Sequence, residues 1–458
     1  MFVNALLSIL SGALLSCAFE PVGKWWLAPL AIAVHMYAIS RTDNRKLSAF
    51  LFGLTFNLLT LHWTSTFVGS TPWIILAVGL AFFYIPLAMI GRWGIASYPL
   101  IFITLEEFRN HFPFGGFGWT RLAYSQPDAP YAQIASRGGA IALSALTVSI
   151  GAFIFYLTTA KVRPFLLAPV LLLLIPNNIV STADSTALLI QGNIPQLGLD
   201  FNSRAQAVFN NHVLETKKAI ANNEKIDFIV WPENSVDVDP FRNPEVFNQL
   251  QDFNQPLIIG AVVGKGEKLL NTSILWGDTT QEIYVKQHLT PFGEYIPLRY
   301  IASKVSSLVA RVTDFSPGDQ GKIFTIGAAK IAPIICFELL DDQIVRNGAK
   351  NSNLLVVQTN SATFGKSPES AQQLSITRVR AIEHARNTLS VSTIGYSAVI
   401  DYRGKVLQQT SIATSEHLTA TVGLIEQQSM NDRLGNWTTG GMLFWLLLSA
   451  RRLREERR

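Results

Sequence analysis

The sequence is poor in cysteine, in charge and in histidine. Two of its 458 residues are cysteine, Cys17 and Cys336, which excludes a disulfide framework and leaves too few thiolates for a zinc site. The seven histidines have no metal-ligand spacing, and no phosphate-binding glycine loop, internal repeat or low-complexity linker is present. We therefore predict that the protein needs neither a metal nor another cofactor.

The low share of charged residues points to a membrane protein. Charged residues make up 15% of the chain and hydrophobic residues 49%, and the mean hydropathy is +0.26. Such a chain is too apolar for an ordinary soluble enzyme and too polar to lie wholly in a bilayer. The net charge of +5 could suggest nucleic acid, but many basic residues lie at the ends of apolar runs and in the tail "RRLREERR". This placement is typical of membrane anchoring, so we predict no nucleic-acid partner.

Long apolar runs fill the first 180 residues, and one more lies near the C-terminus. Several are close to the lower length limit for crossing roughly 30 Å of hydrocarbon, and the fifth is weakened by Glu106 and Glu107. We predict about seven transmembrane helices in residues 1–180 and a last one in residues 433–458, which end in the basic tail. The predicted spans are Phe2–Phe19, Trp25–Ile39, Ala49–Val68, Trp73–Ile90, Trp93–Phe108, Ala140–Ala160, Phe165–Val180 and Leu434–Ala450.

Basic residues follow the second, fourth, sixth and eighth runs, which share one side of the membrane if eight spans alternate. These residues are Arg41, Arg45, Lys46, Arg92, Lys161, Arg163 and the arginines of the tail. The positive-inside rule makes that side the cytoplasm, so both termini are expected inside and residues 181–432 outside. Some positive charge falls on the other side, at Lys24, Arg109, Arg121 and Arg137.

The first run has a second interpretation. The letters "ALLSC", which end at Cys17, resemble a lipoprotein processing box and would make this run a cleaved signal. No lysine or arginine precedes it, whereas a signal peptide begins with a positively charged region. The sequence therefore favours a retained span.

From Ser185 onward the pattern changes to short apolar runs rich in β-branched residues. Helical patterns separate them near Ser203–Asn222 and Ser370–Arg386. Near-continuous apolar strands are typical of sheets buried on both faces, so residues 181–432 are predicted to form a layered α/β domain. The last run predicts a hairpin around Asp401 and Gly404.

Three of these strands end in a residue that could do chemistry: Glu233 in "VWPENS", Lys286 in "YVKQHLTPFGEY" and Cys336 in "IICFEL". A cysteine that attacks a carbonyl needs a base for its proton, a cation for the developing oxyanion and a sharp turn that exposes the sulfur. Each residue alone also has a structural interpretation, as a helix-capping acid, a solvated strand-end charge and a small core residue respectively.

The order of these residues resembles a known superfamily. Glutamate, lysine and cysteine at strand ends, within "WPEN", "K-x-H-L-T-P-F-G-E" and "C-F-E", resemble the nitrilase superfamily of carbon-nitrogen hydrolases. With the polytopic part before it, one span after it and the loop "FPFGGFGWTRLAYSQPD", nearly the whole chain resembles the apolipoprotein N-acyltransferase family. The resemblance implies that residues 181–432 form a four-layer αββα sandwich.

The resemblance also implies roles for five residues. Glu233 would be the general base, Lys286 the oxyanion-stabilising cation and Cys336 the nucleophile, with Glu294 and Glu338 as supporting acids. A thiolate beside Lys286 would be stabilised by the opposite charge, and the two supporting acids would keep that lysine charged and aimed. Both acids could instead belong to an ordinary structural ion pair.

The sequence departs from the family pattern at two points. Many family members have Asn-Asp-x-Trp-Phe-Gly where this chain has "TNSATFG", Thr359–Gly365, which lacks the acid and the tryptophan. The tyrosine often found after the cysteine is Phe337 here. Neither change removes a triad member. A His288–Cys336 pair is an alternative, but the place of His288 inside "KQHLTPFGE" favours a structural role.

The implied reaction is a two-step acyl transfer at the bacterial cytoplasmic membrane. Cys336 would take an acyl chain from a membrane phospholipid, giving a thioester and a lysophospholipid. The α-amino group of an apolipoprotein's N-terminal diacylglyceryl-cysteine would then attack it, in the last step of lipoprotein maturation by a monomeric enzyme. Two alternatives stay open: a membrane-anchored nitrilase-type amidase for a water-soluble amide, and a non-enzymatic scaffold, which would be expected to have lost a triad member.

An amphipathic pattern follows "PFGEYIP" directly. In "LRYIASKVSSLVARV" apolar residues recur at helical spacing and form one stripe, while Arg299, Ser303, Ser307 and Arg311 lie opposite. The stripe either docks on the domain's own core or forms a lid whose apolar face binds acyl chains, with Arg299, Lys304 and Arg311 among head groups. Its residues are Leu298, Ile301, Val305, Leu308, Val309 and Val312.

Overall fold

The computed structural model describes residues 2–159, 164–176, 179–194, 206–221, 225–266, 268–277, 280–305, 309 and 313–455. The chain divides into two compact units. The first consists of Met1–Asn177 and Ser429–Arg458, and the second of Asn178–Gln428. The first unit is helical, whereas the second contains the strands of two sheets.

The first unit is built from ten α-helices among its described residues, several of them joined by 3₁₀ turns. The α-helices are α1 Phe2–Ser16, α2 Leu27–Ser40, α3 Arg45–Thr60, α4 Ser65–Val68, α5 Ser70–Phe82, α6 Ile90–Trp93, α7 Tyr98–His111, α8 Ala135–Thr158, α14 Met430–Leu434 and α15 Trp437–Glu455. The 3₁₀ turns are His62–Thr64, Ile85–Met89, Ile95–Ser97, Leu122–Ser125, Ala132–Ile134 and Pro164–Leu174.

Within the described residues, two helical segments are long and apolar enough to cross a membrane. They are Ser70–Trp93, with 24 residues, and Ala132–Thr158, with 27 residues, and they cover the fourth predicted run and most of the sixth. The first two runs form shorter apolar helices, and the seventh run contains the 3₁₀ helix Pro164–Leu174. The prediction of about eight spans is therefore not confirmed and stays a prediction.

The two acids of the fifth run lie on α7, and each has a polar partner inside the first unit. Glu107 forms an ion pair with Arg121, with 2.5 Å between Oε1 and Nη2. Glu106 accepts a hydrogen bond of 2.7 Å from the backbone N–H of Leu122. Both acids are buried. A run with two carboxyl groups can therefore lie in an apolar interior, because each group has a partner there.

The second unit contains two six-stranded sheets. The first has the order β12-β1-β2-β3-β4-β5 and the second the order β11-β10-β9-β8-β7-β6. The strands are β1 Ala183–Gln191, β2 Phe228–Val230, β3 Leu257–Lys265, β4 Lys268–Trp276, β5 Gln281–Val285, β6 Phe324–Ile326, β7 Ala329–Ile335, β8 Leu354–Thr359, β9 Thr388–Ser392, β10 Ala398–Ile400, β11 Val406–Gln409 and β12 Glu416–Leu424. The helices are α9 Ala207–Ile220, α10 Pro244–Gln251, α11 Arg299–Val305, α12 Asp342–Asn351 and α13 Glu369–His384.

The two sheets pack face to face, with helices on their outer faces. Successive residues of a strand point to opposite faces of its sheet. Leu189 of β1 therefore belongs to the core between the sheets, whereas Leu188 packs with α9 and α10 on the outer face. On the far side, α12 and α13 pack against the second sheet. These layers confirm the αββα sandwich. β8 is buried at every residue, which explains the apolar run Leu354–Val357 at its start.

The strand directions bring several strand ends to one edge of the sandwich. β1, β2 and β3 are parallel, as are β7, β8 and β9, and β5 runs with β3 because β4 is antiparallel to both. At that edge, Gln358 at the end of β8 donates a 2.6 Å hydrogen bond across the sheets to the carbonyl oxygen of Trp231. The predicted hairpin is confirmed between β10 and β11, where Gly404 takes a φ of 79°.

Candidate active site

The three predicted reactive residues follow three strands that end at this shared edge. Glu233 comes three residues after β2, Lys286 directly after β5 and Cys336 directly after β7. The turn that holds Glu233 lies against β3, where the N–H of Trp231 bonds to the carbonyl of Ile258 at 2.8 Å. Strand ends are stiff anchors, so the side chains that leave them are well positioned.

Lys286 lies between two carboxylates. Its Nζ is 3.2 Å from Oε1 of Glu233 and 2.8 Å from Oε2 of Glu294, and its side chain is 1% exposed. Burial by itself would lower the pKa of Lys286, but the charges of Glu233 and Glu294 outweigh burial and raise its pKa above the ordinary value. The structure thus brings three of the predicted site residues into direct contact, around a lysine that stays charged.

Asn271 of β4 joins the two carboxylates from the other side. Its Nδ2 donates to Oε1 of Glu233 at 2.7 Å and to Oε1 of Glu294 at 2.6 Å. The N–H of Thr290 also donates to Glu294, at 2.7 Å. Burial favours the protonated form of both acids; Lys286 and these donors outweigh it at Glu294, whose pKa is lowered, whereas the pKa of Glu233 is raised. Of the two, Glu233 is therefore the better proton acceptor.

Cys336 occupies a sharp turn, as a cysteine that attacks a carbonyl requires. Its φ is +49°, a left-handed conformation that non-glycine residues rarely adopt, and a 3₁₀ helix Cys336–Leu340 follows. Oε2 of Glu338 accepts a 2.8 Å hydrogen bond from the N–H of Ile335, one residue before the cysteine. Such a turn costs about 1–3 kcal/mol and is maintained only where neighbouring contacts support it.

Glu338 positions two strand ends rather than pairing with the lysine. While Oε2 holds the cysteine turn, Oε1 accepts from the N–H of Gln287 at 2.6 Å and from the hydroxyl of Tyr284 at 2.7 Å. Among its described contacts no ion pair with Lys286 occurs. Glu338 therefore acts on Lys286 through the backbone of the next residue, and the expected direct support comes from Glu294.

The surroundings of Cys336 favour the thiol over the thiolate. Burial raises its pKa well above the ordinary value, and Glu233 raises it further, while Lys286 opposes both. The expectation that Lys286 stabilises a resting thiolate is therefore incomplete, because burial and the nearby carboxylates outweigh one lysine. Nε2 of Gln373 donates to Sγ at 3.5 Å. A protonated thiol needs a base when it attacks, and Glu233 is close to it.

His288 contacts Asp341 and Phe337. Its Nδ1 is 3.1 Å from Oδ2 of Asp341, and its ring lies edge-on to that of Phe337 with 5.3 Å between centroids. These contacts fit the structural role that the sequence favours. They also give Phe337, the residue next to the nucleophile, a fixed neighbour in place of the missing tyrosine hydroxyl.

The divergent segment Thr359–Gly365 still forms a tight turn. Oδ1 of Asn360 accepts from the N–H of Ala362 and from the hydroxyl of Thr393, both at 3.0 Å. The N–H of Gly365, with a φ of 60°, bonds to the carbonyl of Ser361 at 3.1 Å. The turn therefore forms without the acid and the tryptophan of the commoner motif.

Three residues near the site were not predicted from the sequence: Asn271, Glu369 and Gln373. Asn271 is a buried polar residue within an apolar strand, a signal visible in "KLLNTSILW". Glu369 and Gln373 are spaced by four on α13, which places both on one helix face. In the described residues no group of three histidine, cysteine or acidic side chains could hold a metal ion.

The predicted lid stripe is only partly described. α11 spans Arg299–Val305; Leu298 is 61% exposed, whereas Val309 is 7% exposed. Arg299 forms an ion pair with Asp314 at 2.5 Å. Leu308, Arg311, Val312 and Ser307 lie outside the described residues, as do the side chains of Ile301 and Val305. Of the stripe residues whose side chains are described, Leu298 is therefore exposed and Val309 is buried.

Gly260 of β3 allows the Glu233 turn to approach its strand, and this generates a prediction. A Cβ at this position would lie 2.4 Å from the carbonyl oxygen of Pro232 and 2.6 Å from Cα of Glu233. Gly260→Ala must push that turn away, so it should lower the free energy of unfolding by about 1–3 kcal/mol. Urea denaturation of the full-length protein in detergent, followed by tryptophan fluorescence, measures this.

Gly264→Ala on the same strand is the matched control. Its Cβ would meet the guanidinium of Arg242 at 3.1 Å, the end of a flexible and largely exposed side chain, so its effect should stay within about 0.5 kcal/mol. Equal losses from the two substitutions would contradict the close approach at Gly260.

Comparisons with known proteins match this architecture. The apolipoprotein N-acyltransferase N-terminal domain model matches residues 11–153, and the carbon-nitrogen hydrolase model matches residues 187–431. The apolipoprotein N-acyltransferase of Mycolicibacterium smegmatis is 33% identical over 87% of this chain and 76% of that protein. The apolipoprotein N-acyltransferase of Geobacter metallireducens is 31% identical over 94% of this chain and 91% of that protein. The apolipoprotein N-acyltransferase of Pasteurella multocida is 27% identical over 96% of this chain and 94% of that protein. The chain therefore belongs to the apolipoprotein N-acyltransferase family.

Proposed function

We propose that this protein transfers an acyl chain from a membrane phospholipid to the α-amino group of diacylglyceryl-modified apolipoproteins. The observation that carries the proposal is the cluster of buried Glu233 and Lys286 with half-buried Cys336, at the ends of three strands in a chain of this family. The cluster supplies a base, a cation and a thiol, the three groups that acyl transfer through a cysteine requires.

In the first step, Cys336 forms a thioester and releases a lysophospholipid. Glu233 accepts the thiol proton while sulfur attacks the ester carbonyl, since the raised pKa of Cys336 leaves little thiolate at rest. Lys286 stabilises the oxyanion, because Glu233 and Glu294 keep it charged. Glu233 then gives its proton to the leaving alkoxide of the glycerol.

In the second step, the amino group attacks the thioester carbonyl. The same oxyanion position is used, the sulfur leaves and the amide forms. A thioester is more reactive toward amines than an ester, so the thiol converts an unreactive donor into a reactive one. A nitrilase-type amidase would use the same three residues on a water-soluble amide, and no described feature favours that alternative.

The proposal predicts how the three residues divide the work. Cys336→Ala should abolish formation of the acyl-enzyme, because no other residue of the cluster can form the thioester. Lys286→Ala and Glu233→Ala should each slow acylation by about a hundredfold or more, the usual scale for loss of an oxyanion donor or a general base. Rapid quenching followed by intact-mass analysis of the full-length protein in detergent with phospholipid gives these rates.

The double variant of Lys286 and Glu233 serves as a further check. Its loss should be smaller than the product of the two single losses, since the residues act as one unit. A Cys336→Ala protein that still acquires an acyl mass from phospholipid would refute the mechanism.

We propose in addition that the enzyme is a multi-pass protein of the bacterial cytoplasmic membrane, with residues 181–432 on the extracytoplasmic side. The basic residues that follow alternate apolar runs support this orientation. Both substrates carry acyl chains, and moving a chain into water would cost on the order of 0.8 kcal/mol per methylene. A site near the membrane avoids this cost.

Reporter fusions test the orientation. Alkaline phosphatase, which is active only outside the cytoplasm, should be active when fused near Asn222 and inactive when fused near Arg45, and both fusions should be made at equal expression. The reverse pattern of activity would contradict the whole arrangement.

We also propose that the segment beginning at Leu298 guides lipid to the site. Phe292, Leu298 and Tyr300 are 60%, 61% and 75% exposed and lie close in sequence to Glu294, which contacts Lys286. Exposed apolar side chains next to a lipid-dependent site would lower the free energy of acyl chains that approach it. The buried Val309 anchors the far end of this segment.

Leu298→Asp should slow acylation by phospholipid in vesicles by about tenfold or more, since a carboxylate at this surface must be desolvated against lipid. Alkylation of Cys336 by iodoacetamide should keep its wild-type rate, because Leu298 does not contact the cluster. Leu407→Asp, at a leucine 55% exposed on β11, is the control and should leave both rates unchanged. If Leu298→Asp and Leu407→Asp show equal rates of acylation, the segment beginning at Leu298 does not guide lipid to the site.

A further inference from the structure

The N-terminal turn of α13 brings an additional carboxyl group to the catalytic cluster. Gln373 on this helix donates to Sγ of Cys336 at 3.5 Å. Glu369 lies four residues earlier, at the first residue of the helix. Because residues four apart share one helix face, Glu369 is on the same face as the amide that contacts the sulfur.

Glu369 has no cation of its own among the described residues. Its side chain is buried, with the residue 2% exposed. Oε2 makes no hydrogen bond of ordinary length within the described residues, and the nearby hydroxyl of Ser361, rather than a cation, favours its ionised form. The charges that act on it come from Glu233, and its own charge acts on Cys336. Lys286, the cation of the cluster, makes its ion pairs with Glu233 and Glu294. A buried carboxyl group without a cation is costly, so a structure that retains one is suited to a cationic ligand.

The second step of the proposed reaction supplies such a ligand. An α-amino group has a pKa of about 7.7–8.0 and so reaches the site at neutral pH mainly as an ammonium ion. An ammonium ion has no lone pair and must lose one proton before it attacks and a second one as the amide forms. Glu233 takes the second proton and passes it to the departing sulfur. Another group must therefore take the first proton from the ammonium ion.

We propose that Glu369 is the residue that binds the acceptor's ammonium group and removes its first proton. This inference rests on the proposed acyl transfer. As the ammonium ion approaches, Glu369 gives its resting proton to solvent, and its carboxylate then forms an ion pair with the ammonium ion. The carboxylate accepts a proton from that ion, which leaves a neutral amine next to the thioester. The amine nitrogen forms its bond to the carbonyl carbon, the carbon–sulfur bond breaks, and the second proton reaches sulfur through Glu233. Glu369 ends the step protonated, as it was at rest.

The acidity of Glu369 suits this task. Burial, reinforced by the charge of Glu233, raises the pKa of Glu369 to about 8, close to that of an α-amino group. Proton transfer between groups of matched pKa needs little driving force in either direction. The neutral carboxyl group that prevails at rest also adds no negative charge beside Cys336 during the first step.

The experiment compares two nucleophiles on the preformed acyl-enzyme of the full-length protein in detergent. One is a diacylglyceryl-cysteine peptide, whose α-amino group is an ammonium ion at pH 7, and the other is hydroxylamine, which is uncharged at that pH. For Glu369→Gln, loss of the acyl mass to the peptide should slow by about a hundredfold or more, while loss to hydroxylamine should match the wild type. Glu369→Asp keeps the acid and should retain most of the preference for the peptide.

Two further variants make the result decisive. Glu215→Gln changes a buried acid on α9 that pairs with His417 and should leave the ratio of the two rates unchanged. Glu369→Met fills the same space without a polar group and should show the same selective loss, so it replaces Glu369→Gln if that variant does not fold. Equal slowing of both nucleophiles, or of neither, would overturn the role of Glu369. A wild-type protein that never acquires an acyl mass would instead refute the proposed function.

Discussion

The burial of one lysine among carboxylates is the constraint on which the rest of the site depends. Lys286 is 1% exposed and is kept charged by Glu233 and Glu294. Removing a charge from water is expensive unless ion pairs and hydrogen bonds compensate it. Asn271 supplies some of that compensation by binding both carboxylates. The αββα sandwich is what brings the ends of β2, β4, β5 and β7 close enough for this cluster to form.

The cluster then sets the chemistry of the sulfur. Burial and the nearby carboxyl groups together raise the pKa of Cys336 more than Lys286 lowers it, so the thiol stays protonated at rest. A protonated thiol is unreactive until a base takes its proton, because the thiolate is the nucleophilic form. Glu338 binds both the turn of Cys336 and the backbone after Lys286, so the proposed nucleophile and the proposed oxyanion cation are held by one side chain.

Much of this was predictable from the sequence, and the parts that were not have physical reasons. Apolar runs without alternation predicted sheets buried on both faces. The same runs placed Glu233, Lys286 and Cys336 at strand ends, where the structure has them, and the resemblance implied their roles. Sequence gives no distance, so it could not distinguish Glu294, which pairs with Lys286, from Glu338, which binds backbone. Nor could it place Glu369 and Gln373, because their contact with the cluster depends on how α13 packs. The predicted number of membrane spans also exceeds the number of described helices that are long enough to cross a membrane, since several predicted runs form short or 3₁₀ helices.

The central claim is that Cys336 carries the acyl chain between donor and acceptor, and peptide mapping of the wild-type protein tests it most directly. After incubation with phospholipid alone, the peptide that contains Cys336 should gain the mass of one acyl chain, and one lysophospholipid should be released for each enzyme molecule. Addition of a diacylglyceryl-cysteine peptide should then remove that mass and yield the N-acylated peptide in equal amount. An acceptor that becomes acylated while the Cys336 peptide never gains mass, or an acyl chain found on another residue, would contradict the account.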